Sequence, residues 1–128
     1  MPVAGWDLGM KILSVQIQPD LQPNVDFDAK VLELQGLAQG ASFVEKVSVE
    51  SGLKGGRFVN VNFHTSDVTR LWTLIRSSLG LRSRNAAPLS RAIIVVSEGE
   101  DGWNDYRLLH HFDDGARIDK LGEEVDAE

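Results

Sequence analysis

Apolar and polar residues alternate along KILSVQIQ (11–18), with Leu13, Val15 and Ile17 on one side and Ser14, Gln16 and Gln18 on the other. A side-chain period of two predicts a half-buried strand. PDLQPN, interrupted twice by proline, reads as a loop. From Asp26 the period lengthens. Phe27, Val31, Leu34 and Ala38 recur at helical spacing, so a helix is expected over 27–39, capped by Asp26 and ended by Gly40. Alternation returns in SFVEKVSVE (42–50), where Phe43, Val47 and Val49 share a face that Glu45 interrupts. It continues in RFVNVNFH (57–64), where Val59, Val61 and Phe63 oppose Phe58, Asn60, Asn62 and His64. The short glycine-bearing link SGLKGG predicts that these two strands form an antiparallel hairpin.

A second helical stripe follows, made of Val68, Leu71, Trp72, Ile75 and Leu79. Thr65 or Ser66 is the expected cap, Asp67 complements the positive end of the helix, and Gly80 closes it. LRSRNAAPLS is a polar connector. AIIVV (92–96), apolar throughout, predicts a strand buried on both faces or held centrally in the sheet. After the acidic turn of GEDGWNDYRLLHHF (99–112) a fifth strand is expected over 105–112, paired with the fourth as a hairpin. Its period places Tyr106, Leu108, His110 and Phe112 toward the helices, and Arg107, Leu109 and His111 away from them. The order β-α-β-β-α-β plus one strand predicts an α+β fold of the ferredoxin-like split βαβ kind, with two helices on one face of an antiparallel sheet. One domain over 10–113 would follow a flexible leader (1–9) and precede an acidic, partly disordered tail (114–128).

That arrangement leaves the second face of the sheet uncovered. The period assigns to it Ser14, Gln16, Gln18, Val44, Lys46, Ser48, Phe58, Asn60, Asn62 and His64. Such an amide-rich surface suits self-association, or a polar small molecule held by Asn60, Asn62 and His64.

Charge narrows the partners. The 128-residue chain carries a formal net charge of −6. Five arginines and no acid fall between Arg70 and Arg91, whereas eleven acids lie between Glu98 and Glu128. An acidic chain is a poor ligand for phosphate backbones. KGGRFVNV (54–61) matches an RNA-stacking signature at Lys54, Gly55, Phe58 and Val59, but Gly56 and Val61 stand where aromatic platforms are needed. A nucleic-acid partner is therefore disfavoured. No apolar run reaches the roughly 20 residues of a membrane helix. The absence of cysteine removes disulfides, thiol nucleophiles and Cys-ligated metals, and fits a cytoplasmic setting.

No phosphate-binding loop, HExxH motif or nucleophile elbow is present. Adjacent His110 and His111 point to opposite faces of a strand and cannot share a metal. His64 stands near Asp67, so a His–Asp pair is conceivable there. No catalytic residue, cofactor or metal is assigned. Trp103, set at a turn beside Glu100 and Asp101, has the character of an interface anchor. The sequence thus leads to a small acidic interaction protein, immunity-protein-like or regulatory, with a protein partner or a second copy of itself. The alternative is a dimeric small-molecule-binding domain or enzyme using the open sheet face around His64.

Overall fold

The computed structural model describes residues 10–53, 56–81, 91–112 and 118–119. The expected leader (1–9), Lys54 and Gly55, the polar connector over 82–90 with Arg82 and Arg84, and most of the tail lie outside the described residues. The elements run β1 (Lys11–Ile17), a 3-10 turn (Pro19–Leu21), α1 (Phe27–Gln39), β2 (Val44–Gly52), β3 (Phe58–Thr65), α2 (Val68–Leu79), β4 (Ile93–Gly99) and β5 (Gly102–His110). The five strands form one sheet in the order β2-β3-β1-β4-β5, and every neighbouring pair is antiparallel. It follows that β1 and β2 run parallel with β3 between them, and that β3 and β4 run parallel with β1 between them. Each helix crosses over one intervening strand. Because the two crossovers start on oppositely directed strands and move toward opposite edges, the right-handed rule places both helices on the same side.

The core agrees. Leu13, Val15 and Ile17 of β1, Val61 and Phe63 of β3, and Ile93 and Val95 of β4 are fully buried, packed with Phe27, Leu34 and Ala38 of α1 and Leu71, Trp72, Ile75 and Leu79 of α2. Each fully buried Val, Leu, Ile or Phe side chain among them contributes about 1.5–3 kcal/mol by leaving water. The helix stripes read from the sequence face the core here, with Val31 and Val68 only partly buried.

Helix ends are capped locally. Asp26 Oδ1 accepts from the Ala29 amide at 3.1 Å. At α2 the cap is neither Thr65 nor Ser66: Asp67 itself accepts from the Arg70 amide at 3.0 Å. Thr65 instead donates to the Phe43 carbonyl (2.7 Å) and accepts from the Asp67 amide (3.0 Å), tying the helix start to β2. Gly80 takes the left-handed conformation expected of a terminating glycine (φ 69°), whereas Gly40 stays right-handed (φ −90°).

Two irregularities break the period-two reading. In β2 the register shifts between Val44, opposite Thr65, and Lys46, opposite His64. The extra residue, Glu45, is exposed, and Val44 turns to the core rather than to the open face. That bulge removes the intrusion of a carboxylate into the apolar face. In β5 the ladder is interrupted twice. Arg107 faces Ser97, Leu108 faces Val96 and His110 faces Val95, so Leu109 is supernumerary, and both Leu109 and His110 are buried. Leu108, expected toward the helices, therefore shares the opposite face with Val96, and Arg107 stands on the helix side. Nearer the turn, one residue of β4, Glu98, faces four of β5 between the Ser97–Arg107 and Gly99–Gly102 pairs. Residues 103–106 are consequently pushed out of the ladder, and Tyr106 is exposed instead of core-facing.

Candidate functional site

Cross-strand register assembles the uncovered face of the sheet in rungs. One rung runs Ile94, Gln16, Asn60, Glu50; the next runs Leu108, Val96, Ser14, Asn62, Ser48. Ile12, His64 and Lys46 form a third. The face is therefore divided, apolar over β4–β5 and polar over β1, β3 and β2. Asn62 is held on both sides: its Oδ1 accepts from Ser14 Oγ at 2.7 Å, and its Nδ2 donates to Glu50 Oε1 at 3.3 Å. Gln18 donates to Gln16 at 3.0 Å. Asn60 Oδ1 is shielded from solvent and has no hydrogen-bond donor. Such an acceptor forgoes the roughly 1 kcal/mol that a pairing would bring.

Asn60, Asn62 and His64 are thus brought onto one strand and one face. His64 and Asp67 do not form a pair. The Asp67 carboxylate is used as a helix cap, and no hydrogen bond joins it to the imidazole.

Trp103, Glu100 and Asp101 lie at the tip of the β4–β5 hairpin. The turn is built from Gly99 and Gly102, the latter at φ +67°. A side chain at Gly99 would collide with the backbone oxygen of Asp105, so the two strands meet there only because glycine is present. Asp105 Oδ1 accepts from the Asp101 amide at 2.8 Å, and the Asn104 amide donates to the Asp101 carbonyl at 3.3 Å. These bonds hold the out-of-ladder loop in shape. They also leave two aromatic rings in water: Trp103 is 45% and Tyr106 55% exposed. Glu100, Asp101 and Asp105, all exposed, surround them in sequence.

Sequence periodicity missed Tyr106 because it assumes an unbroken strand. The signal that marks the loop is the density of turn formers, two glycines with Asn104 and Asp105, within seven residues.

The outer edge of β5 is partly occupied. The Asp119 amide donates to the Leu108 carbonyl (2.8 Å), and Asp119 Oδ2 accepts from the Leu108 amide (2.9 Å). At the far end of the sheet a cavity of about 410 Å³ is walled mainly by apolar groups, among them Val25, Phe27, Val31 and Val59. Arg57, which also lines it, pairs with Asp20 at 3.4 Å. Among the described residues, no three His, Asp or Glu side chains are grouped to hold a metal, and no helix is long and apolar enough to cross a membrane. No protein-family model, curated protein or solved structure matches the chain.

Proposed function

We propose that this is a non-catalytic interaction protein, regulatory or immunity-protein-like, that docks a protein partner of basic surface on its β4–β5 hairpin. One observation carries the reading: Trp103 and Tyr106 stand exposed on a tethered loop, with exposed Glu100, Asp101 and Asp105 beside them in sequence. Large aromatic rings anchor interfaces because they bury much area at little conformational cost. The carboxylates select a cationic partner and speed its approach, and a net charge of −6 works in the same direction. The cysteine-free composition supports a cytoplasmic setting. The strand order and the two split crossovers support a ferredoxin-like assignment with β5 added at the edge.

The test compares the wild type with a Trp103→Ala, Tyr106→Ala double variant as bait, with recovered proteins identified by mass. The reading expects a basic protein that binds the wild type, releases as salt is raised, and is lost with the variant at unchanged melting temperature. Equal recovery by both baits would refute it.

A second reading, a dimeric small-molecule-binding domain or enzyme on the open face, is favoured by the donor-less Asn60 Oδ1 beside Asn62 and His64. It expects His64→Ala to abolish binding with little change in melting temperature. A large fall in melting temperature would mark His64 as structural.

A further inference from the structure

The side-chain columns that face the helices change character at one end of the sheet. Along β4 the column runs Ile93, Val95, Ser97, Gly99; along β1 it runs Ile17, Val15, Leu13, Lys11. On β5, Arg107 stands opposite Ser97. The apolar core therefore stops at the level of Leu13, and small residues beyond it leave a space. That space is a cavity of about 270 Å³ between the hairpin base and the first residues of α2. It lies just below the roughly 300–1,000 Å³ of pockets that take drug-sized ligands.

Five charged side chains line it: Lys11, Asp67, Glu98, Glu100 and Arg107. Two cations and three carboxylates share one small cleft, yet no pair of them closes to 4.0 Å. Separate hydrogen bonds hold several of them in place. Lys11 Nζ donates to the Gly99 carbonyl at 3.1 Å. Glu98 Oε1 accepts from the Ile12 amide at 2.7 Å, leaving its second oxygen available. Asp67 commits Oδ1 to the Arg70 amide. The Arg107 guanidinium makes no hydrogen bond or ion pair within the described chain and keeps its fork of donors.

We propose that this cleft binds a small zwitterion of free amino-acid type, its carboxylate on Arg107 and Lys11 and its ammonium on Glu98 with Glu100 or Asp67. Charge-assisted bonds to both ends satisfy groups that the protein keeps apart. A bare anion leaves three carboxylates repelling it, and a bare cation meets two like charges. The planar guanidinium matches a carboxylate in a two-pronged geometry. Glu100 belongs to both the hairpin tip and the cleft, but Lys11, Glu98 and Arg107 line the cleft without Trp103 or Tyr106, so this proposal stands whether or not those two rings dock a partner.

The experiment records amide spectra of the full chain titrated with a panel of free amino acids at millimolar concentration. Each is compared with its amine and acid analogues lacking one charge, and with inorganic phosphate. At least one amino acid shifts the amides of Val68 and Gly99, and its single-charge analogues bind more weakly. Glu98→Gln, which keeps the acceptor for Ile12, and Arg107→Gln each weaken binding by about tenfold or more, as expected for loss of one charge-assisted bond. Arg107→Lys, which retains charge, recovers part of it, and unchanged amide dispersion confirms that the variants are folded. The proposal is overturned by a panel that shifts neither amide, by phosphate or a single-charge analogue binding as tightly, or by a folded Arg107→Gln chain that binds as the wild type does.

Discussion

Glycine placement separates residues that the fold requires from residues it merely tolerates. Any side chain at Gly99 runs into the Asp105 carbonyl of the facing strand, and strand backbone cannot swing away as a flexible side chain could. Gly99→Ala is expected to destabilise the chain by about 1–3 kcal/mol, the usual cost of forced overpacking. Gly36 is the opposite case. It lies inside α1, exposed, with open space where a Cβ would sit. Gly36→Ala removes backbone freedom from the unfolded chain without a clash and should stabilise by about 0.5–1 kcal/mol. Urea titrations of the two variants check both signs, and a neutral Gly99→Ala would mean that the hairpin strands do not meet as closely as described. Apart from the turn itself, neither role is legible in the sequence, because a glycine's necessity depends on what approaches it.

Elements were legible where a period ran unbroken and illegible where it slipped. The stripes of α1 and α2 and the alternation of β1 and β3 follow from spacing alone, since burial of one face needs no knowledge of its partner. The bulge at Glu45 and the supernumerary Leu109 are decided by pairing between strands, which spacing along one strand does not contain. That is why Val44 and Leu108 lie on the face opposite to the one their spacing predicts, Tyr106 stands outside the ladder, Leu109 is buried in the core and Arg107 is on the helix side. Contacts between elements are likewise set by tertiary structure. Ser78 of α2 donates to Glu33 Oε2 of α1 at 2.7 Å, and this bond, with help from Lys30 and against a small desolvation effect, holds the Glu33 pKa below its ordinary value. A depressed carboxylate pKa contributes stability above the unfolded-state value that is lost as pH falls through the folded-state value. Ser78→Ala should therefore cost less than about 1 kcal/mol near neutrality, since the pair is solvent-screened, and the deficit should vanish in acid. Stability curves of both chains across that range test the sign. At the β5 edge, Asp119→Ala removes the acceptor of the Leu108 amide. Exchange at that amide should quicken while global stability holds; unchanged exchange would mean the contact is not kept in solution.

At the scale of the molecule, the strand order sets where opening is hardest. β1 is flanked by β3 and β4, and its inner face lies beneath both helices, so exposing it breaks two ladders and the core at once. β2 and β5 are edges with one paired neighbour each, and β5 carries an interrupted ladder. Amide exchange by local opening follows this order, because edge strands open at a fraction of the free energy of global unfolding. The amides of Leu13 and Val15 should be the slowest, near the global limit, and those of residues 103–106 the fastest within β5. The acidic face of the hairpin adds a concentration test. If Trp103 and Tyr106 are reserved for a basic partner, their neighbours' amides should exchange equally fast in dilute and concentrated solution, since two hairpins of like charge repel. Protection of residues 103–106 that rises with protein concentration would instead assign the hairpin to contact between copies of this chain.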